Sequence, residues 1–205
     1  MGCSWMGAAI HGGRLNMHKC LSSDSASYDH QPTMSATNFS IRSTTEDDWK
    51  FERELRLSQL MENSMWFSET LDEALAFSEH EWKRRARRGT ELTGVRIVAV
   101  QTGTNRWLGI MGGYVGTLSD GSTSPLLVSV YVRDGYRGKE LGITDALLQA
   151  VEDWARTQGD HIGLTVHEDN ARAIAAYAKR GFIDDGVRIA HAGERGLAVE
   201  MIKPL

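Results

Sequence analysis

Arg137-Gly138-Lys139-Glu140-Leu141-Gly142 stands between an apolar run, Leu126 to Val132, and a helical period carried by Ile143, Leu147, Ala150, Val151 and Trp154. A strand that runs directly into a glycine-bearing helix start aims several free backbone N–H groups at whatever anion lies in front, and the helix dipole backs them. Such a junction suits a pyrophosphate. Glycine at 138 and 142 keeps side chains clear of a ligand, while Arg137 and Lys139 can add charge-assisted bonds. No Gly-Lys-Ser/Thr ends the segment, which excludes a Walker-type phosphate loop, and the glycine spacing fails the dinucleotide-binding fingerprint. Alone the segment is only moderately specific, a glycine-bearing turn into an ordinary helix being the plain alternative.

A second unit follows. Leu164 to Val166 reads as a short strand, Asn170 as a helix cap, and Gly181 as the stop before strand-like Phe182 to Ala190. Tyr177 lies seven residues after Asn170, two helical turns along, so both side chains can face one ligand. Taken singly, Asn170 is an ordinary cap and Tyr177 a core-edge tyrosine.

Together the two units resemble the GNAT superfamily of N-acetyltransferases. Val130-Tyr131-Val132 and Arg137 to Gly142 correspond to the family's strand followed by Arg/Gln-x-x-Gly-x-Gly/Ala. Asn170, Ala173, Tyr177, Gly181 and Phe182 match its Asn-x-x-Ala-x-x-x-Tyr-x-x-x-Gly-Phe. One position departs: Glu140 stands where the family has its first motif glycine, and its carboxylate repels a phosphate unless it turns away.

The resemblance implies a mixed α/β fold, a mostly antiparallel central sheet with a splayed parallel strand pair, flanked by about four helices. It implies acetyl-coenzyme A as cosubstrate, lying between the splayed strands Leu126 to Val132 and Leu164 to Val166. The pantetheine arm would be held at Val130, Tyr131 and Val132, and the pyrophosphate at Arg137, Gly138, Lys139, Glu140, Leu141, Gly142 and Ile143, with Asn170 also at the donor. By the same resemblance Tyr177 is the candidate general acid for the leaving thiolate, and transfer to the amine is direct. No base is named: Glu62, Glu69 and Glu168 are available but read as surface or capping acids. The acceptor expected is a primary amine of a small molecule or peptide, with a homodimer left open. A coenzyme A-binding regulatory module that has lost turnover is the alternative.

Working outward, Phe39 to Arg42 alternates as a half-buried first strand, and Thr45 with Glu46, Asp47 and Asp48 opens a helix through about Met61. Thr70 and Glu73 form a capping box for a second helix, expected to run unbroken through Leu75, Ser78 and Trp82 to a stop at Gly89. Lys83, Arg84, Arg85, Arg87 and Arg88 then read as its solvated basic end rather than a nucleic-acid site. Val95 to Gln101 and Trp107 to Val115 make a hairpin. Leu126, Val128, Val130 and Val132 are expected on one strand face, the helix after the turn from Lys139 to about Gln158, and Leu197 to Ile202 as the last strand. Acceptor specificity is expected from the early helices, the Met65-Trp66-Phe67 loop and the link from His191 to Gly196. Trp66 and Phe67 read as packing for the helix pair.

The chain's 205 residues fit one substantial core. Residues 1–36, rich in Gly, Ser, His and Asp, read as a flexible extension in which Met34 is a conceivable start, and residues 37–205 as the catalytic domain. A net charge of -4 argues against binding driven by nucleic-acid phosphates. No apolar run approaches the roughly 20 residues of a membrane span. Both cysteines, Cys3 and Cys20, fall in the extension, which leaves the body without a cysteine metal site or thiol nucleophile and points to a reducing cytoplasm. No metal is expected.

Overall fold

The computed structural model describes residues 38–63, 66–67, 69–190 and 196–205. The expectations for residues 1–36, for Met65 and for most of the link from His191 lie outside the described residues. Seven strands form one sheet in the order β1-β2-β3-β4-β5-β7-β6: β1 Phe39–Ser43, β2 Gly94–Gln101, β3 Trp107–Thr117, β4 Thr123–Val132, β5 His161–His167, β6 Ile183–Ala190 and β7 Leu197–Pro204. All neighbours are antiparallel except β4 and β5. The helices are α1 Trp49–Asn63, α2 Leu71–Ala76, α3 Glu79–Arg87, α4 Ile143–Ala155 and α5 Ala171–Ala178.

The expected second helix is two. Phe77 takes extended dihedrals after α2, and Ser78 begins again as an N-cap whose side chain accepts from the Glu81 N–H. A serine read as one more position in a helical period is thus a start signal, because its hydroxyl competes for backbone donors. The break folds α3 back on α1, burying Trp82, Leu60 and Ala74 together. Phe67 packs on this cluster, as expected.

The basic end of α3 is only partly solvated. Arg85 donates to both oxygens of Glu69, which also accepts from Arg56 at 2.6 Å, and the Arg85 guanidinium lies 4.3 Å from the Phe77 ring centre. Glu69 is therefore a structural carboxylate. Burial alone would raise its pKa, but the hydrogen bonds from Arg85 and Arg56 outweigh it and hold the carboxyl below its ordinary range.

Two cores sandwich the sheet. On one face α4 and α5 cover Ile97, Leu108, Leu127, Val132, Leu164, Val166 and Met201. On the other, Phe51 and Leu55 of α1 pack on Val98, Trp107, Ile110 and Tyr131. Beneath α1 a buried carboxylate, Glu52, is paired with Arg96 of β2.

Candidate active site

β4 carries the feature that shapes the site. Its register against β3 slips between Ile110 and Gly112, and Ser129 opposite the slip has φ 56, the left-handed region. This is a β-bulge, which switches side-chain alternation partway along the strand. The expected single face of Leu126, Val128, Val130 and Val132 is accordingly divided: Leu127, Val130 and Val132 pack toward α4, while Tyr131 packs under α1.

Backbone direction follows. The Arg133 N–H donates to the Leu108 carbonyl at 2.8 Å, so residues 131 and 133 turn their peptide groups toward β3. Those of Val130 and Val132 then point the other way, toward β5. There β4 and β5 pair at Leu126 and Gly163 alone, and beyond that register the strands part. An edge whose peptide groups have no strand partner among the described residues thus lines a V that opens toward the following turn. Of its groups the Val132 carbonyl is occupied, accepting from Arg137 Nε at 2.7 Å.

The turn does not begin the helix where expected. α4 starts at Ile143, and Gly142 is its N-cap at φ 67, with no side chain to cap the first-turn N–H groups. Those donors lack helix acceptors for the ordinary geometric reason, and glycine leaves them uncovered. Gly138, at φ 128, also sits in a backbone region that side chains disfavour. Lys139 is exposed. Leu141 packs on the core, and Ile143 is fully buried, so each contributes its backbone to the turn. The Glu140 carboxylate folds back over Gly138, 2.6 Å from where a Cβ would stand, and so lies within the turn rather than away from it.

Two expected ligand residues are engaged elsewhere. Arg137 is tied to the Val132 carbonyl and to Glu62 at 3.1 Å, with its guanidinium 5.8 Å from the Tyr131 ring centre. Tyr131 donates its hydroxyl to the same Glu62 at 2.7 Å, and burial followed by that carboxylate raises its pKa. The joint effect of Arg137 and Tyr131 is to lock α1 to the end of β4.

On α5, the Asn170 side-chain oxygen accepts from the Ala173 N–H at 3.1 Å, a cap as the residue type suggests. Tyr177 packs edge-on against Phe182, ring centres 5.7 Å apart. Its hydroxyl has no hydrogen-bond partner among the described residues, and burial pushes its pKa up to about 12. Glu168 accepts from the Leu197 N–H and joins the start of β7 to β5. Trp66 departs from the helix-pair packing expected of it and meets His167 at the end of β5, ring centres 5.5 Å apart.

A cavity of about 260 Å³ lies beside the last β4–β5 pair, bounded by Leu126, Val128, Thr165 and Glu200 among others. A second cleft, about 210 Å³ between Phe51, Trp107 and Arg133, shares no residue with the V's edge. Sequence reasoning passed over Ser129 and Glu200, each a polar residue inside an apolar strand run, which was the available signal.

This sheet, parted over unpaired peptide groups above an uncovered helix start, is the frame of an acyltransferase. The chain belongs to the acetyltransferase (GNAT) family, whose model matches residues 49–182. It is similar to a GNAT-family acetyltransferase from Streptococcus pneumoniae, with a TM-score of 0.61 at 18% identity, covering 82% of this chain and 100% of that one. It is also similar to the PaiA N-acetyltransferase of Thermoplasma acidophilum in complex with coenzyme A, TM-score 0.59 at 19% identity, covering 82% and 99%. At these identities the likeness establishes the fold. An L-methionine sulfoximine/L-methionine sulfone acetyltransferase of Pseudomonas paraeruginosa is 47% identical over 55 residues, 26% of this chain and 31% of that protein. The match spans about a third of that relative's length.

Proposed function

We propose that residues 37–205 form an N-acetyltransferase domain that moves the acetyl group of acetyl-coenzyme A directly to a primary amine of a small molecule or peptide. The observation that carries this reading is the single β4–β5 pair, Leu126 with Gly163, beyond which the Val130 and Val132 peptide groups face an open V above Gly142. The residues fit the donor: an uncovered helix start suits a pyrophosphate, and an unpaired strand edge suits the amides of a pantetheine arm.

In this reading the N–H groups of the 138–143 turn hold the pyrophosphate, and an edge N–H polarises the thioester carbonyl as its oxygen gains charge. Tyr177 donates its proton to the departing thiolate; its hydroxyl has no partner among the described residues and its raised pKa keeps it protonated at neutral pH. The neutral amine nitrogen bonds the carbonyl carbon, its surplus proton passes to water, and the C–S bond breaks to release the thiolate that Tyr177 protonates. Arg137 and Asn170 serve by shaping the turn and the start of α5. We place this chemistry in the cytoplasm. A thiol-release assay with acetyl-coenzyme A against a panel of primary amines tests the proposal. Release with at least one amine is expected; binding of coenzyme A with no release for any amine would leave a regulatory module instead.

A further inference from the structure

Glu200 is a carboxylate in the middle of an apolar strand, Leu197-Ala198-Val199-Glu200-Met201-Ile202, and it is 3% exposed. Both its oxygens accept from Ser119, through the backbone N–H and the hydroxyl. No cation pairs with it among the described residues, whereas the other deeply buried carboxylates, Glu52 and Glu152, pair with Arg96 and Lys203. Buried charges are ordinarily paired.

The missing partner has a place to stand. Glu200 lines the 260 Å³ cavity with Tyr114, Leu118, Leu126, Val128 and Ile189. Val199 and Met201 face α4, so Glu200 between them faces the opposite side of the sheet. There it neighbours Thr165, its register partner on β5. The cavity touches β4 at Leu126, where the parallel pair ends, and Val128, immediately before the Ser129 bulge. A molecule seated there meets the vertex of the V from the face opposite α4.

We propose that this cavity is the acceptor pocket and that Glu200 anchors the acceptor's amino group, selecting small apolar primary amines that carry no carboxylate beside the amine. The inference rests on the acetyltransferase reading above. A carboxylate accepts from a neutral amine N–H as well as from an ammonium, so the anchor serves both states of the acceptor. The rest of the described lining is apolar or hydroxyl-bearing and holds no Lys, Arg or His. Among the described lining residues, an α-carboxylate would therefore meet Glu200 as a like charge with no cation to receive it.

The test uses two amine and amino-acid pairs of equal body, 2-phenylethylamine against phenylalanine and isopentylamine against leucine. Calorimetry in the presence of coenzyme A and steady-state thiol release are both read. Each amine is expected to show at least tenfold higher kcat/KM than its amino acid. Glu200→Gln should raise the amine's KM tenfold or more and weaken its calorimetric Kd alike, with coenzyme A affinity unchanged. Ile189→Trp, which narrows the cavity while leaving the carboxylate in place, should raise the same KM and covers the case in which Glu200→Gln does not fold. Equal turnover of amine and amino acid, or an amine KM unmoved in both variants while transfer persists, would overturn the pocket assignment and leave the acetyltransferase reading standing. Absence of thiol release from every amine, with coenzyme A still bound, would overturn both.

Discussion

The Arg96 guanidinium reaches from β2 past Gly112 of β3 and donates to the Ser129 hydroxyl of β4 at 2.9 Å. Ser129 is the one non-glycine residue with positive φ among the described residues. A left-handed residue costs roughly 1–2 kcal/mol, and a hydrogen bond to a charged group returns about 1.5–3 kcal/mol. The bond therefore suffices to hold the bulge, and the bulge decides which peptide groups of β4 face the V. Glu52 completes the device by neutralising Arg96 beneath α1.

Ser129→Gly loses the bond but relieves the left-handed strain, whereas Ser129→Ala loses the bond and keeps the strain. Chemical denaturation should rank wild type above Gly and Gly above Ala, the last two separated by about 1 kcal/mol. Equal stability of Gly and Ala would argue against a strained bulge. Arg96→Met, which strands the buried Glu52, should cost about 3–5 kcal/mol, part of it recovered by adding Glu52→Gln.

Tyr177→Phe should lower kcat roughly ten- to a thousandfold with coenzyme A affinity nearly intact, since general acid catalysis is worth about 10² to 10⁴. Because burial lifts the Tyr177 hydroxyl to about 12, the wild-type kcat should show no alkaline loss from this group before about pH 11. A limb near pH 9 that disappears in the Phe variant would contradict the assignment.

At the turn, Gly142→Glu should abolish acetyl-coenzyme A binding, through both a carboxylate in the anion site and a side chain at φ 67. Gly142→Ala separates the two causes: no atom stands within 4 Å of its Cβ, so it should show backbone strain of roughly 1 kcal/mol and retain binding. Calorimetry reads both variants.

Glu140→Gln should tighten acetyl-coenzyme A binding two- to fivefold, because an exposed charge contact is worth about 0.2–1 kcal/mol and this carboxylate lies over Gly138. Unchanged affinity would mean that it swings clear when the donor binds.

Acid should loosen the α3 region first. The hydrogen bond from Arg84 chiefly, then that from Arg85, holds Glu81 at about 2 against the opposing effect of burial. The unfolded chain takes up this proton near pH 4.3, so the contribution of Glu81 is complete above that pH and lost as pH falls toward 2. Stability measured between pH 5 and 2.5 should fall less steeply in Glu81→Gln than in wild type.

The strands, the glycine turn and the α5 cap were legible because each is written in a short window: alternation, a capping residue, a glycine where side chains are excluded. The break at Phe77 and Ser78 was equally local, yet it was hidden by a helical period that continues through it. A periodicity reports which residues are buried and does not register that the axis has turned.

The sequence by itself determined the strands, the glycine turn that leads into α4 and the placing of Asn170 and Tyr177 two turns apart along one helix, since backbone sterics and helical spacing act between near neighbours. Only the tertiary structure decided that Arg137 and Tyr131 lock onto Glu62, that Arg96 holds Ser129, and that Glu200 lies buried beside a cavity at the vertex of the V. Those outcomes join residues 33 to 81 positions apart, and such distances close only when the sheet has twisted and the helices have packed. The Arg137 to Gly142 segment reads from sequence as a glycine-bearing turn suited to an anion; which of its side chains are engaged elsewhere is a property of the packed fold.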